Sequence, residues 1–188
     1  MLELVIVGFK GDRERAAAVL SELRENAEPW TARLHGASAV YRDRDGKLAI
    51  DESYEATKGN EAIAGGFTGS LVGLMVAVMA LPALAAAGPV VAGAALVAGA
   101  IGGELVGVHH RSARIDADAK WWHEEVGICS ALAERVHAML ERGDSAIVCL
   151  MREPDPELAS RFARFGGSVQ TLPLTAEQAA KVDARLRG

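Results

Sequence analysis

The sequence predicts an α+β protein that is interrupted by an apolar helical hairpin. Short runs rich in Val, Ile and Leu alternate with amphipathic helical segments at both ends of the chain. Between these ends, the 42 residues from Ala62 to Gly103 include no Asp, Glu, Lys or Arg. Small side chains dominate that window, which holds 13 Ala and 9 Gly.

Residues 1–60 are predicted to form the first half of the α/β body. Leu2 to Phe9 is typical of a buried strand, and Asp12 then caps an amphipathic helix. The apolar positions of that helix recur at helical spacing: Ala16, Val19, Leu20 and Leu23. A second strand, Ala37 to Arg42, is followed by Asp45-Gly46, which signals a two-residue hairpin, and by the returning strand Lys47 to Ile50.

Residues 61–110 are predicted to form an inserted helical hairpin with two arms. The arms are Ile63–Leu81, with 19 residues, and Pro89–Val108, with 20. Each arm is roughly 30 Å long as a helix, and prolines between the arms prevent one continuous helix. Glycines spaced by four form a ladder in each arm, Gly65, Gly69 and Gly73 in the first and Gly99, Gly103 and Gly107 in the second. Such ladders let two helices pack closely, and so we expect a glycine zipper.

The surroundings of the hairpin are left open between lipid and protein. The arm lengths and the missing charges favour a bilayer, with both termini on the cytoplasmic face of the inner membrane. Glu104, near the end of the second arm, would then lie at the membrane edge. The alternative is a soluble cytoplasmic homo-oligomer that buries the hairpins, since so large an apolar surface does not stay exposed on a monomer.

Residues 111–142 are predicted to form one long amphipathic helix that follows the hairpin. Its apolar positions step by four and three: Trp122, Val126, Cys129, Ala133, Val136 and Leu140. This spacing is typical of a packed helical seam. Trp121 and Trp122 lie close to the end of the second arm, where they would serve either as a membrane-edge belt or as core and oligomer contacts.

Residues 143–188 repeat the pattern of the first half. Ser145 to Met151 is typical of a buried strand, and Asp155-Pro156 starts a short helix. The apolar side of that helix consists of Leu158, Phe162 and Phe165. Gly166-Gly167 ends it, the strand Ser168 to Leu174 follows, and Thr175 and Gln178 have the spacing of a capping box for the last helix.

Two strand–helix–strand halves joined in one sheet predict a ferredoxin-like sandwich, with the hairpin inserted between the halves. The chain also resembles the bacterial DUF1269 proteins, which have no established activity and are often described as membrane proteins. The resemblance covers most of the chain and lies in Glu3–Phe9, Val40–Leu48, the insert from Gly65-Gly66, Gly143–Val148 and Phe165–Thr171. Residues 116–142 are longer than the usual linker of that family.

Composition excludes several classes of function. The 20 Lys and Arg residues are outnumbered by 25 Asp and Glu residues, and the net charge of −5 argues against nucleic-acid binding. The N-terminus lacks the basic start of a signal peptide. The spacing of Cys129 and Cys149 matches no zinc or redox motif, which favours two reduced, buried thiols.

No catalytic set is apparent, and so the leading hypothesis is a non-enzymatic scaffold that self-assembles and needs no cofactor. A second hypothesis is a homo-oligomeric module whose buried hairpins bind a hydrophobic small molecule. A third is a metal site at His109, His110, His123 and Glu124, although His123 lacks the second histidine that a zinc-protease helix requires. Solvated polar residues at the foot of the hairpin are the favoured explanation of that cluster.

Overall fold

The protein has mixed helices and an antiparallel five-stranded sheet. The computed structural model describes residues 2–25, 34–45, 48–50, 71, 73–75, 77–78, 113–153 and 155–187. The elements in chain order are β1 (Glu3–Phe9), α1 (Arg15–Glu25), β2 (Leu34–Arg42), β3 (Leu48–Ile50), α2 (Ala113–Lys120), a π-helical segment (Trp121–Val126), α3 (Cys129–Met139), β4 (Ser145–Met151), α4 (Leu158–Ala163), β5 (Ser168–Pro173) and α5 (Ala176–Arg187).

The strands lie in the order β3-β2-β4-β1-β5, and every neighbouring pair is antiparallel. The five predicted strands are therefore confirmed, within a few residues at their ends. The hairpin between β2 and β3 differs from the prediction. Its ladder ends at the pair Arg42 and Leu48, so five residues separate the strands where Asp45-Gly46 predicted two.

The centre of the sheet is buried on both faces. All seven residues of β1 and all seven of β4 are buried, which explains why both strands are almost continuously apolar. We call the face covered by α1 and α4 the α1 face; it includes Val5, Ile147 and Phe162. The opposite face, here the hairpin face, is covered by residues of the insert, the π-helical segment, α3 and α5, and it includes Leu4 and Val148.

Two local signals in the second half form as the sequence predicts. Gly166 adopts a left-handed φ of 80°, and the N–H of Gly167 donates to the Phe162 carbonyl at 3.1 Å, which ends α4. At the start of α5 the capping box is reciprocal. The Thr175 N–H donates to Gln178 Oε1 at 2.9 Å, and the Gln178 N–H donates to Thr175 Oγ1 at 3.2 Å.

The single long helix predicted over residues 111–142 is wrong. α2 passes into the π-helical segment, which ends at Gly127 with a left-handed φ of 70°. The Gly127 N–H donates to the Trp122 carbonyl, and α3 begins two residues later. The seam residues are nevertheless all buried, because the break redirects the chain without moving its apolar side away from the core.

Candidate functional site

The insert contacts the body of the protein through a glycine. Gly73 lies so close to α2 that an added Cβ would be 2.6 Å from the Cβ of Asp118 and 3.0 Å from the backbone nitrogen of Ala119. No side chain fits at that distance, and so Gly73 permits a backbone approach that any other residue would prevent. The remaining predicted packing glycines (Gly65, Gly69, Gly99, Gly103 and Gly107) and Glu104 lie outside the described residues.

The described residues around Gly73 are enclosed by protein. They are helical, and Leu71, Leu74, Met75, Ala77 and Val78 are each at most 1% exposed. All five belong to the same buried cluster as the strands of the hairpin face. This stretch of the first arm therefore packs against the chain's own sheet and helices. Among the described residues, no helix combines the length and the apolar character needed to cross a membrane.

Trp121 and Trp122 open the π-helical segment and lie in this core. Their ring centroids are 4.8 Å apart in an edge-to-face arrangement at 68°. Trp122 is fully buried, and Trp121 is 9% exposed. Of the two roles predicted for the pair, burial within one chain favours a core contact. A π-helical turn is uncommon, and such turns are often found at functional sites.

The last helix is fastened to the π-helical segment by polar side chains. Gln178 Nε2 donates to the Val126 carbonyl at 3.0 Å, and Lys181 Nζ donates to the Glu125 carbonyl at 2.8 Å. Carbonyls at the end of a helix lack intrahelical partners, and α5 supplies donors for two of them. The spacing of Gln178 predicted its capping role, but this second contact comes only from the tertiary structure.

An ion pair between an exposed arginine and a buried carboxylate lies beside the same segment. Arg185 on α5 donates to the carboxylate of Asp118, which is only 2% exposed. The guanidinium also lies over the ring of Trp121, 4.7 Å from its centroid. Asp118 thus connects three parts of the protein, because Gly73 of the insert packs against its Cβ. Sequence reasoning missed this pair, since 67 residues separate its members.

Of the four residues predicted to hold a metal, the structure describes His123 and Glu124. No group of three or more His, Cys, Asp or Glu side chains converges within the part of the chain that the structure describes. His123 is half-buried, and Glu124 is exposed and pairs with Lys120 at 3.8 Å. His109 and His110 lie outside the described residues.

A second polar cluster, which sequence reasoning also missed, joins the ends of several strands. Asp144 is buried, and its carboxylate accepts hydrogen bonds at 2.8 Å from the Gly11 N–H, the Glu141 N–H and Lys10 Nζ. Burial alone would raise the pKa of Asp144, but these donors outweigh it and hold the pKa below its usual value.

The hydroxyl of Ser145 belongs to the same cluster. It donates to the Asp12 carbonyl at 2.6 Å and accepts from the Ala16 N–H at 3.1 Å. Both bonds are to the backbone where α1 begins, so Ser145 anchors that helix to β4. Because the hydroxyl donates its hydrogen bond to a backbone carbonyl, it serves here as a structural bridge.

Comparison of the chain with protein-family models, with curated proteins and with solved structures gives no match.

Proposed function

We propose that this protein is a non-enzymatic scaffold that self-assembles, with a ferredoxin-like body that holds a glycine-rich helical hairpin against one face of its sheet. The same proposal includes two further points: the protein is related to the DUF1269 proteins, and it has no enzymatic activity. One observation carries it: Gly73 of the insert and the backbone of α2 approach more closely than any side chain would allow. A surface of small residues is suited to packing helices and offers little chemistry.

The order of the strands supports the ferredoxin-like body. The unit β1-α1-β2 and the unit β4-α4-β5 interleave so that four strands lie in the order β2-β4-β1-β5. Both connecting helices cover the α1 face. Two interleaved strand–helix–strand units with their helices on one side are the essential features of that topology. The opposite face is then free for the insert.

Replacement of Gly73 by Leu tests the proposal. The new side chain would collide with Asp118 and Ala119 and push the insert away from α2, at a cost of about 1–3 kcal/mol for overpacking. We expect a lower midpoint of urea unfolding and a changed particle mass in light scattering. Ala138→Leu on the exposed side of α3 adds an apolar side chain without such a contact and serves as the control.

If Gly73→Leu leaves both the mass and the unfolding midpoint at the wild-type values, the packing role of the hairpin is refuted. A monomeric wild-type protein would refute self-assembly, whatever the variant does.

Membrane association is a separate part of the proposal and depends on the lengths and the missing charges of the two arms. Ultracentrifugation of a lysate prepared without detergent tests it. Recovery in the membrane pellet, and release by detergent but not by high salt, is the expected result. Recovery in the supernatant would leave the alternative of a hairpin buried between protein subunits.

A further inference from the structure

Among the strands that the structure describes, β5 lies at the end of the sheet, and one row of its backbone groups points away from β1. The Leu174 N–H donates to the Leu2 carbonyl at 3.1 Å, which makes these two residues a hydrogen-bonded pair of the β1–β5 ladder. Hydrogen-bonded pairs alternate along an antiparallel ladder. The amides of Ser168, Gln170 and Leu172 therefore point toward β1, and the backbone groups of the residues between them point away from the sheet.

The outward row consists of Val169, Thr171 and Pro173. Pro173 has no N–H. Because it forms a non-hydrogen-bonded pair with Glu3, the β1–β5 ladder loses no hydrogen bond. The row thus offers the N–H groups of Val169 and Thr171 together with three carbonyls. None of these groups has a partner among the described residues.

Among the described residues, Pro173 is the one common protection against pairing that β5 has. Edge strands are commonly blocked by charged side chains, prolines, bulges, short length or a covering helix or loop. β5 has six residues and no charged side chain, and four of its side chains are exposed: Ser168, Gln170, Thr171 and Pro173. β3, at the opposite end of the sheet, has only three residues.

We propose that β5 pairs antiparallel with β5 of a second copy of this chain, around a twofold axis at Thr171. In this register the two Thr171 residues exchange two N–H···O=C bonds. The Val169 N–H of each copy donates to the partner's Pro173 carbonyl, which makes four bonds in all. The inference rests on the proposed function, since it names one surface through which the scaffold assembles.

A second copy suits this edge because the strand is complementary to itself. Twofold pairing places like residues opposite each other, and a strand without charge meets no repulsion. Threonine pairs across strands are favourable, and the proline carbonyl needs only the donor that Val169 supplies. Two paired six-residue strands bury less surface than a standard interface of about 1,600 Å², and so we expect a reversible dimer.

Amide hydrogen exchange of the full-length protein, followed by sedimentation at the same concentrations, tests the pairing. As concentration rises from the micromolar to the millimolar range, exchange at Val169 and Thr171 should slow by about tenfold or more. The amides of Gln170 and Leu172 already bond to β1 and serve as internal controls that should not change.

Two substitutions at Thr171 complete the test. Thr171→Pro removes an outward donor without breaking the β1 ladder, and Thr171→Lys keeps the donor but places like charges at the axis. Each should shift the dimer dissociation constant at least about tenfold upward, which is the loss of about 1.4 kcal/mol of association free energy. Ala176→Pro at the first position of α5, where proline is tolerated, should dimerise like the wild type.

The outcomes separate this inference from the proposed function. If the wild type self-associates while Val169 and Thr171 exchange freely, or if both Thr171 variants associate normally, edge pairing is overturned and the scaffold remains. If the wild type is monomeric throughout the concentration range, both are overturned.

Discussion

At the scale of single residues, buried polar groups in this protein are matched by donors and acceptors from distant parts of the chain. Asp144 lies at the start of β4, while Lys10 and Gly11 come just after β1. Its carboxylate can be buried because three donors replace water. Asp118 has the same kind of environment, with one cation from α5. Both carboxylates therefore link segments of the chain that local sequence patterns do not connect.

Replacement of Asp144 by Asn should destabilise the protein by about 1–3 kcal/mol, because the amide nitrogen would face a backbone N–H that now has an acceptor. The folded-state pKa of Asp144 is depressed. Its stabilisation is therefore complete above the unfolded-state pKa of about 3.9 and is lost as pH falls through the folded-state value. Urea unfolding at about six pH values between roughly pH 2 and pH 7 measures this loss of stability.

In that experiment Asp144→Asn should weaken the acid-induced loss of stability. Parallel pH profiles for wild type and Asp144→Asn would show that Asp144 does not contribute to the acid sensitivity.

At the scale of elements, the contact between α5 and the π-helical segment depends on both ends of one amide side chain. Gln178 Oε1 accepts from the Thr175 N–H, and its Nε2 donates to the Val126 carbonyl. The first bond caps α5, and the second gives a carbonyl at the end of the π-helical segment its hydrogen-bond donor. One residue therefore couples the start of a helix to a turn 52 positions earlier.

The substitution Gln178→Glu separates these two roles. A carboxylate keeps the capping acceptor but directs a second oxygen at the Val126 carbonyl, which should cost about 1–3 kcal/mol of stability. Ala180→Glu, on the exposed side of the same helix, adds the same charge and should change stability by less than about 0.5 kcal/mol. Equal unfolding midpoints for the two variants would show that the contact with Val126 contributes nothing.

At the scale of the whole molecule, the sheet separates two buried layers that each contain one thiol. Cys129 belongs to the hairpin face, and Cys149 belongs to the α1 face. Burial raises the pKa of both thiols to about 12, and Glu3 contributes further at Cys149. A thiolate is the reactive form, and so both groups are protected in the folded protein.

We therefore expect that a thiol reagent at pH 8 labels neither cysteine in the folded state and labels both in denaturant. If the two layers unfold together, single-cysteine variants carrying Cys129→Ala or Cys149→Ala should be labelled at the same rate. A thiol on the hairpin face that reacts much faster than the one on the α1 face would show that the insert side opens independently.

Much of the local structure was determined by the sequence itself. Apolar spacing placed Ala16, Val19, Leu20 and Leu23 on one side of α1, and all four are buried. Thr175 and Gln178 predicted the start of α5, and Gly166-Gly167 predicted the end of α4, because caps act within one turn of a helix. The two-sided burial of β1 and β4 was also evident from their continuous apolar runs.

Only the tertiary structure decided how these pieces meet. Strand order depends on hydrogen bonds between distant segments, and local periodicity has no information about them. The break at Gly127 was hidden because the apolar seam continues through it, and the Asp118–Arg185 pair joins residues that no motif connects. The glycine ladder predicted that Gly73 packs against the second arm of the hairpin, which lies outside the described residues. The partner that the structure shows for Gly73 is α2, and no local pattern reveals this contact because it joins segments that are far apart in the chain.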